Sequence, residues 1–109
     1  MIDIILTRAG DNGVKLEISG HAEVVKTGID PVCAAVSTLA QTLAARIGEL
    51  GLKTPPKTVL ANGKCLIEAY GESTDGRLAE AVNTVESGFR LISESFPGNV
   101  RFTARLKID

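Results

Sequence analysis

The only histidine of the chain, His21, and one of its two cysteines, Cys33, fall within one stretch, GHAEVVKTGIDPVCAAVS, running from Gly20 to Ser37. A cysteine attacks as its thiolate, which is favoured by a nearby imidazolium, by a helix N-terminus, or by both. The stretch provides for both. Asp30 is a favoured N-cap residue, and Pro31 fits the first helical position, where a missing N–H has no intrahelical partner to lose. Cys33 then sits at N3, in the first turn, where unpaired backbone N–H groups and the positive end of the helix dipole favour an anion. The N–H groups of Cys33 and Ala34 are candidate donors to the oxyanion of a tetrahedral intermediate. Gly28 gives the preceding loop a pivot, and Ala34 and Ala35 leave room for a substrate backbone. Ser37, one turn beyond Cys33, lies on the same helix face.

Asp30 has two candidate roles, as the N-cap or as a group orienting His21; in the second, its carboxylate would oppose formation of a nearby thiolate. The pair itself also has two readings. Either His21 and Cys33 are a nucleophilic dyad, or Cys33 is a core residue on the apolar stripe of its helix and His21 an unrelated surface residue, since free cysteine is among the most buried residue types. Cys65, in phase with Ile67 and Ala69, reads as core.

The bulk composition narrows the alternatives. A length of 109 residues fits one domain spanning residues 1–109, and 44% hydrophobic with 23% charged residues is ordinary for a globular protein. The formal net charge is -1 and aromatic residues make up 4%, so neither a phosphate-tracking basic surface nor a set of base-stacking rings is evident. Direct nucleic-acid binding is not expected. No apolar run is long enough to span a membrane, and MIDIILTRAG lacks the pattern of a signal peptide, so a cytoplasmic location is expected. No C-x-x-C and no P-loop sequence occurs, and His21, Cys33 and Cys65 are spaced unlike any compact zinc signature, so a metal site is not expected.

The elements that would position the dyad follow from periodicity. IDIILTR and VKLEISG alternate apolar and polar residues around AGDNG, a turn sequence tolerant of positive φ, and read as a hairpin with His21 just past its second strand. Cys33, Val36, Ala40, Leu43, Ile47 and Leu50 recur at helical spacing, and Gly51 followed by LKTPPKT ends that helix. KTVLA and KCLIEAYG flank Asn62-Gly63, the strongest short-range hairpin signal. A second helix runs from about Thr74, with Leu78, Val82, Val85, Phe89, Ile92 and Phe96 on its apolar face and Pro97-Gly98 as the stop. In the last strand, VRFTARLKI, Val100, Phe102, Ala104, Leu106 and Ile108 share one face. The order β-β-α-β-β-α-β predicts an α+β two-layer sandwich, a largely antiparallel sheet with both helices on one face. Lys15, Glu17, Arg101, Arg105 and Lys107 would lie on the opposite face.

Gly20-His21-Ala22, Gly28, Asp30 and Val32-Cys33-Ala34-Ala35-Val36-Ser37 together resemble the signature of the ribosomal-processing cysteine protease family, the bacterial Prp-type proteins. The likeness extends over nearly the whole chain, from the opening strands through the helix begun by V-C-A-A-V-S to the last helix ending near F-P. It implies a cysteine endopeptidase that removes the N-terminal extension of large-subunit ribosomal protein twenty-seven, cutting after aromatic residues, without cofactor or metal. Carried over by position, Cys33 is the nucleophile and His21 the general base. The resemblance further implies a homodimer active in ribosome biogenesis, with a mobile loop at Glu23 through Ile29. Pro31 stands where the family pattern calls for an aliphatic residue. A non-catalytic ribosome-associated binding or assembly protein of the same fold is the alternative, and another acyl transfer on the same dyad is a third.

Overall fold

Alternating apolar residues and a turn rich in Asp, Asn and Gly pair β1 (Ile2–Ala9) with β2 (Gly13–Gly20) antiparallel, Ile4 opposite Ile18 and Leu6 opposite Leu16. The computed structural model describes residues 1–10, 12–21, 30–61, 63–71 and 76–107. The chain continues through α1 (Pro31–Glu49), β3 (Lys57–Ala61), β4 (Lys64–Tyr70), α2 (Arg77–Ser95) and β5 (Val100–Lys107). This is the expected α+β order. One five-stranded sheet runs β3-β4-β2-β1-β5, antiparallel except where β5 lies parallel to β1. Each helix is thus a crossover between parallel strands, α1 carrying the chain from β2 past β4 to β3, and α2 carrying it from β4 past β2 and β1 to β5.

Both crossovers cover one sheet face, where a single core forms. Ile4, Leu6, Leu16 and Ile67 of the sheet are sealed against Leu43 and Ile47 of α1 and Phe89 of α2. α1 begins as the sequence predicts, with the Asp30 carboxylate accepting from the N–H groups of Val32 and Cys33 at 2.9 and 3.2 Å. Gly51, at φ 65°, follows its C-cap Leu50.

The core stripe of α1 differs from the expected one at its first position. Val32, Val36, Ala40, Leu43 and Ile47 are buried, whereas Cys33 is half-buried. Successive helical residues point about 100° apart, so seating Val32 in the core turns the Cys33 side chain toward the flank of the helix. α2 begins at Arg77 rather than near Thr74, which lies outside the described residues, and Gly76 provides no side-chain cap.

β5 also departs from expectation. Val100 is buried and Phe102 stacks on Phe89 at 6.1 Å, but Ala104 is exposed and Leu106 is 64% exposed. β5 is an edge strand, and the burial by α2 ends partway along it, so the second half of its apolar face has no cover. On the sheet's other face, Lys15 pairs with Glu17 at 2.8 Å and Arg101 with Asp3 at 2.6 Å. At the end of the helix-covered face, Arg8 reaches α2 and bonds Asn83 and Glu86 at 2.7 and 2.6 Å, a tie between β1 and α2 that no local sequence pattern signals.

Candidate active site

β2 ends at Gly20, whose φ of 92° is open to glycine and rare for other residues; a Cβ there would also run into the carbonyl of Met1. This turn delivers His21 to the mouth of a cavity. Its backbone is held from two sides, because the N–H of Gly20 donates to the carbonyl of Gly63 at 3.0 Å and the Met1 nitrogen donates to the carbonyl of His21 at 2.7 Å. The imidazole itself is exposed and lies against Gly63.

Cys33 lines the same cavity. With Pro31 first in α1, the thiol stands in the first turn, at the positive end of the helix. The cavity, of about 430 Å³, is bounded by α1 through Cys33, Val36, Ser37 and Ala40 and by the β3–β4 hairpin through Leu60, Gly63 and Cys65, with Ile2 and Ile18 between. Small residues border it on both sides, Ala40 from α1 and Gly63 from the hairpin. The structure therefore brings His21 and Cys33 to one site. Among the described residues, no hydrogen bond joins imidazole to thiol.

The supporting residues take distinct places. Asp30 is the N-cap, its carboxylate bonded to the first-turn amides rather than to His21. The expected oxyanion donors are already engaged: the Cys33 N–H donates to that carboxylate and the Ala34 N–H donates to the Asp30 carbonyl at 3.0 Å. A bonded cap competes with any other acceptor for the same amides, so this structure does not offer those two as free donors. Ala34 is exposed at the helix end. Ser37 lines the cavity, and its Oγ accepts from the Gln41 side-chain amide at 2.8 Å. Gly28 and the Glu23–Ile29 loop lie outside the described residues.

Cys65 is only partly the core residue expected of it. It packs against the core yet is half-buried and lines the cavity floor, where desolvation pushes its thiol above the ordinary value. Gly63, Leu60 and Gln41 are site residues that the sequence alone does not reveal. The Asn62-Gly63 signal places a turn there but does not say which element the turn meets. Among the described residues, no group of three or more His, Cys, Asp and Glu side chains is arranged to hold a metal ion.

A thiol in the first turn of a helix and an imidazole, both lining one cavity on an α+β sandwich, suit a small protein to cysteine-based chemistry. Residues 1–101 match the family of cysteine protease Prp, and the chain belongs to that family of cysteine proteases. The fold is shared with the ribosomal processing protease Prp of S. aureus in complex with a covalently linked product peptide (TM-score 0.78, 22% identity, covering 95% of this chain and 99% of that one). The same S. aureus protease with a substrate peptide gives a TM-score of 0.75 at 20% identity, covering 95% and 99% of the two chains. SMU.848 from Streptococcus mutans gives 0.71 at 21% identity, covering 98% and 96%. A search of curated proteins finds no match.

Proposed function

We propose that this chain is the endopeptidase that removes the N-terminal extension of large-subunit ribosomal protein twenty-seven, with Cys33 as nucleophile and His21 as general base. The observation that carries the reading is the shared cavity: thiol and imidazole line one apolar groove large enough for a peptide side chain. The likeness to a ribosomal processing protease captured with substrate and product peptides supports the substrate class.

In this reading His21 takes the proton from the Cys33 Sγ, and the sulfur attacks the scissile carbonyl carbon. The developing negative charge forms beside the positive end of α1. Collapse of the tetrahedral intermediate breaks the C–N bond, and the imidazolium returns its proton to the departing amine. Water then hydrolyses the thioester with His21 again as base, releasing the new carboxylate and restoring the thiol. Ile2, Ile18, Val36 and Leu60 give the groove apolar walls suited to an aromatic side chain before the cut. Such a dyad can reach its reactive geometry only when peptide fills the groove. The family resemblance supports a cytoplasmic homodimer acting in ribosome biogenesis, with no cofactor.

The test is incubation with a peptide spanning the N-terminal extension of this organism's ribosomal protein twenty-seven, the product masses being followed over time. Wild type is expected to cut one bond, Cys33→Ser to be slower by at least about 1,000-fold, and Cys65→Ser to keep cutting the same bond. Equal cleavage by wild type and Cys33→Ser would overturn the assignment. A peptide left intact by wild type, together with an uncut full-length precursor, would overturn the substrate.

A further inference from the structure

We propose that Gly63 is a positioning residue for the general base: the β3–β4 turn forms a seat for the His21 imidazole that only glycine leaves open, an inference that rests on the reading of His21 given above. A Cβ built on Gly63 would stand 2.7 Å from Nε2, 3.2 Å from Cε1 and 3.5 Å from Cδ2 of His21. The first of these is closer than real Cβ atoms come to any neighbour, so something has to move, and the ring, as the free end of a side chain, is what gives way. The turn is not a passive neighbour, because its Gly63 carbonyl accepts from the N–H of Gly20 at 3.0 Å, the residue that delivers His21. Turn and histidine are thus held in register by the same hydrogen bond.

An exposed imidazole has several rotamers open to it, and surface exposure alone would not fix which one is populated. Here the backbone is clamped on both sides of the ring, and the Nε2 edge rests on a glycine α-carbon. That arrangement keeps the imidazole against the turn, among the residues that line the groove with Cys33. The same turn places Cys65 on the cavity floor one strand residue beyond Lys64, so a single hairpin shapes both the groove and the resting place of its base.

Gly63 has φ 74°, so any substitution there also strains the turn, and the experiment has to separate strain from contact. Gly51 is the control, since it has φ 65° and nothing within 4 Å of a built Cβ. Gly63→Asn is the second variant, because asparagine tolerates the left-handed region better than alanine yet still carries the Cβ. His21 is the sole histidine, so in protein without a histidine tag its ring protons are directly assignable by NMR.

Wild type is expected to show nuclear Overhauser contacts between the His21 ring protons and the Gly63 α-protons. Gly63→Ala and Gly63→Asn should shift the ring resonances and lower kcat by roughly 10- to 100-fold with KM nearly unchanged, whereas Gly51→Ala should do neither. Absence of the wild-type contact, or Gly63 variants that match Gly51→Ala in both readouts, would overturn the seat. His21→Ala is run in parallel. Wild-type turnover in that variant would overturn the general-base reading and the positioning role together; loss of turnover in His21→Ala with unaffected Gly63 variants would overturn the positioning role alone.

Discussion

The two crossovers of this fold are built alike in sequence order and used differently. The α2 crossover is joined to the sheet by aromatic and charged contacts: Phe89 is buried and stacks on Phe102, Arg90 lies 5.0 Å over the Phe102 ring, and Glu86 bridges Arg8 and Arg90 at 2.6 and 2.8 Å. The α1 crossover seals one side with Val32, Val36, Leu43 and Ile47 and faces the β3–β4 hairpin with small residues, leaving the cavity. Large aromatics sit at the α2 interface, whereas the smaller Ala40, Gly63 and Cys65 border the cavity beside α1. The helix starts differ in the same sense. α1 has a bonded Asp30 cap and a first-position proline, while Gly76 gives α2 no side-chain cap.

The sharpest way to break this contrast is to empty the filled half. Phe89→Ala removes a fully buried ring and should cost about 3–5 kcal/mol, seen as a large drop in thermal midpoint, with the cleavage of the protein still folded at low temperature little changed. A midpoint within a degree of wild type would mean that the α2 half is not the stabilising one. On the open half, Asp30→Ala should cost about 1 kcal/mol by freeing the first-turn amides of α1, with faster amide exchange confined to Val32 and Cys33. Unchanged exchange there would deny Asp30 its capping role.

The smallest effect concerns Glu86. Partial burial works against its charge, but hydrogen bonds and attraction from Arg8 and Arg90 outweigh it, and the carboxyl titrates below the ordinary value of 4.5. A carboxyl lowered in the fold contributes stability that is present above the unfolded-state value and is lost as pH falls through the folded one. Glu86→Gln should therefore be less stable than wild type by about 1 kcal/mol at neutral pH, the gap closing as the solution is made acidic. A gap that is constant from neutral to acidic pH would remove the ion pairs from the account of how β1 and α2 are joined.

Much of this was legible locally. Period-2 alternation marked the strands, period-3.6 spacing the helices, and Asp30-Pro31 the start of α1 to the residue. The stretch around His21 and Cys33 pointed to both side chains of the candidate dyad. Other features had no local signal. The parallel seat of β5 beside β1, the Arg8–Glu86 tie and the exposure of Leu106 all depend on which element lies alongside, a relation between residues far apart in the chain. Cys33 shows the boundary most clearly. Its spacing fits the apolar stripe of α1, and only the packing of Val32 into the core turned the thiol outward to the cavity.

By itself, then, the sequence determined the elements, their order, the cap that fixes the first turn of α1 and the family, because each depends on neighbouring residues or on a contiguous pattern. The tertiary structure alone decided the strand order, the cavity, the spent amides of Cys33 and Ala34 and the meeting of Gly63 with His21. Those depend on non-local pairing: residues 21, 33 and 63 belong to one site only because α1 crosses from β2 over β4 and returns the chain through the β3–β4 hairpin.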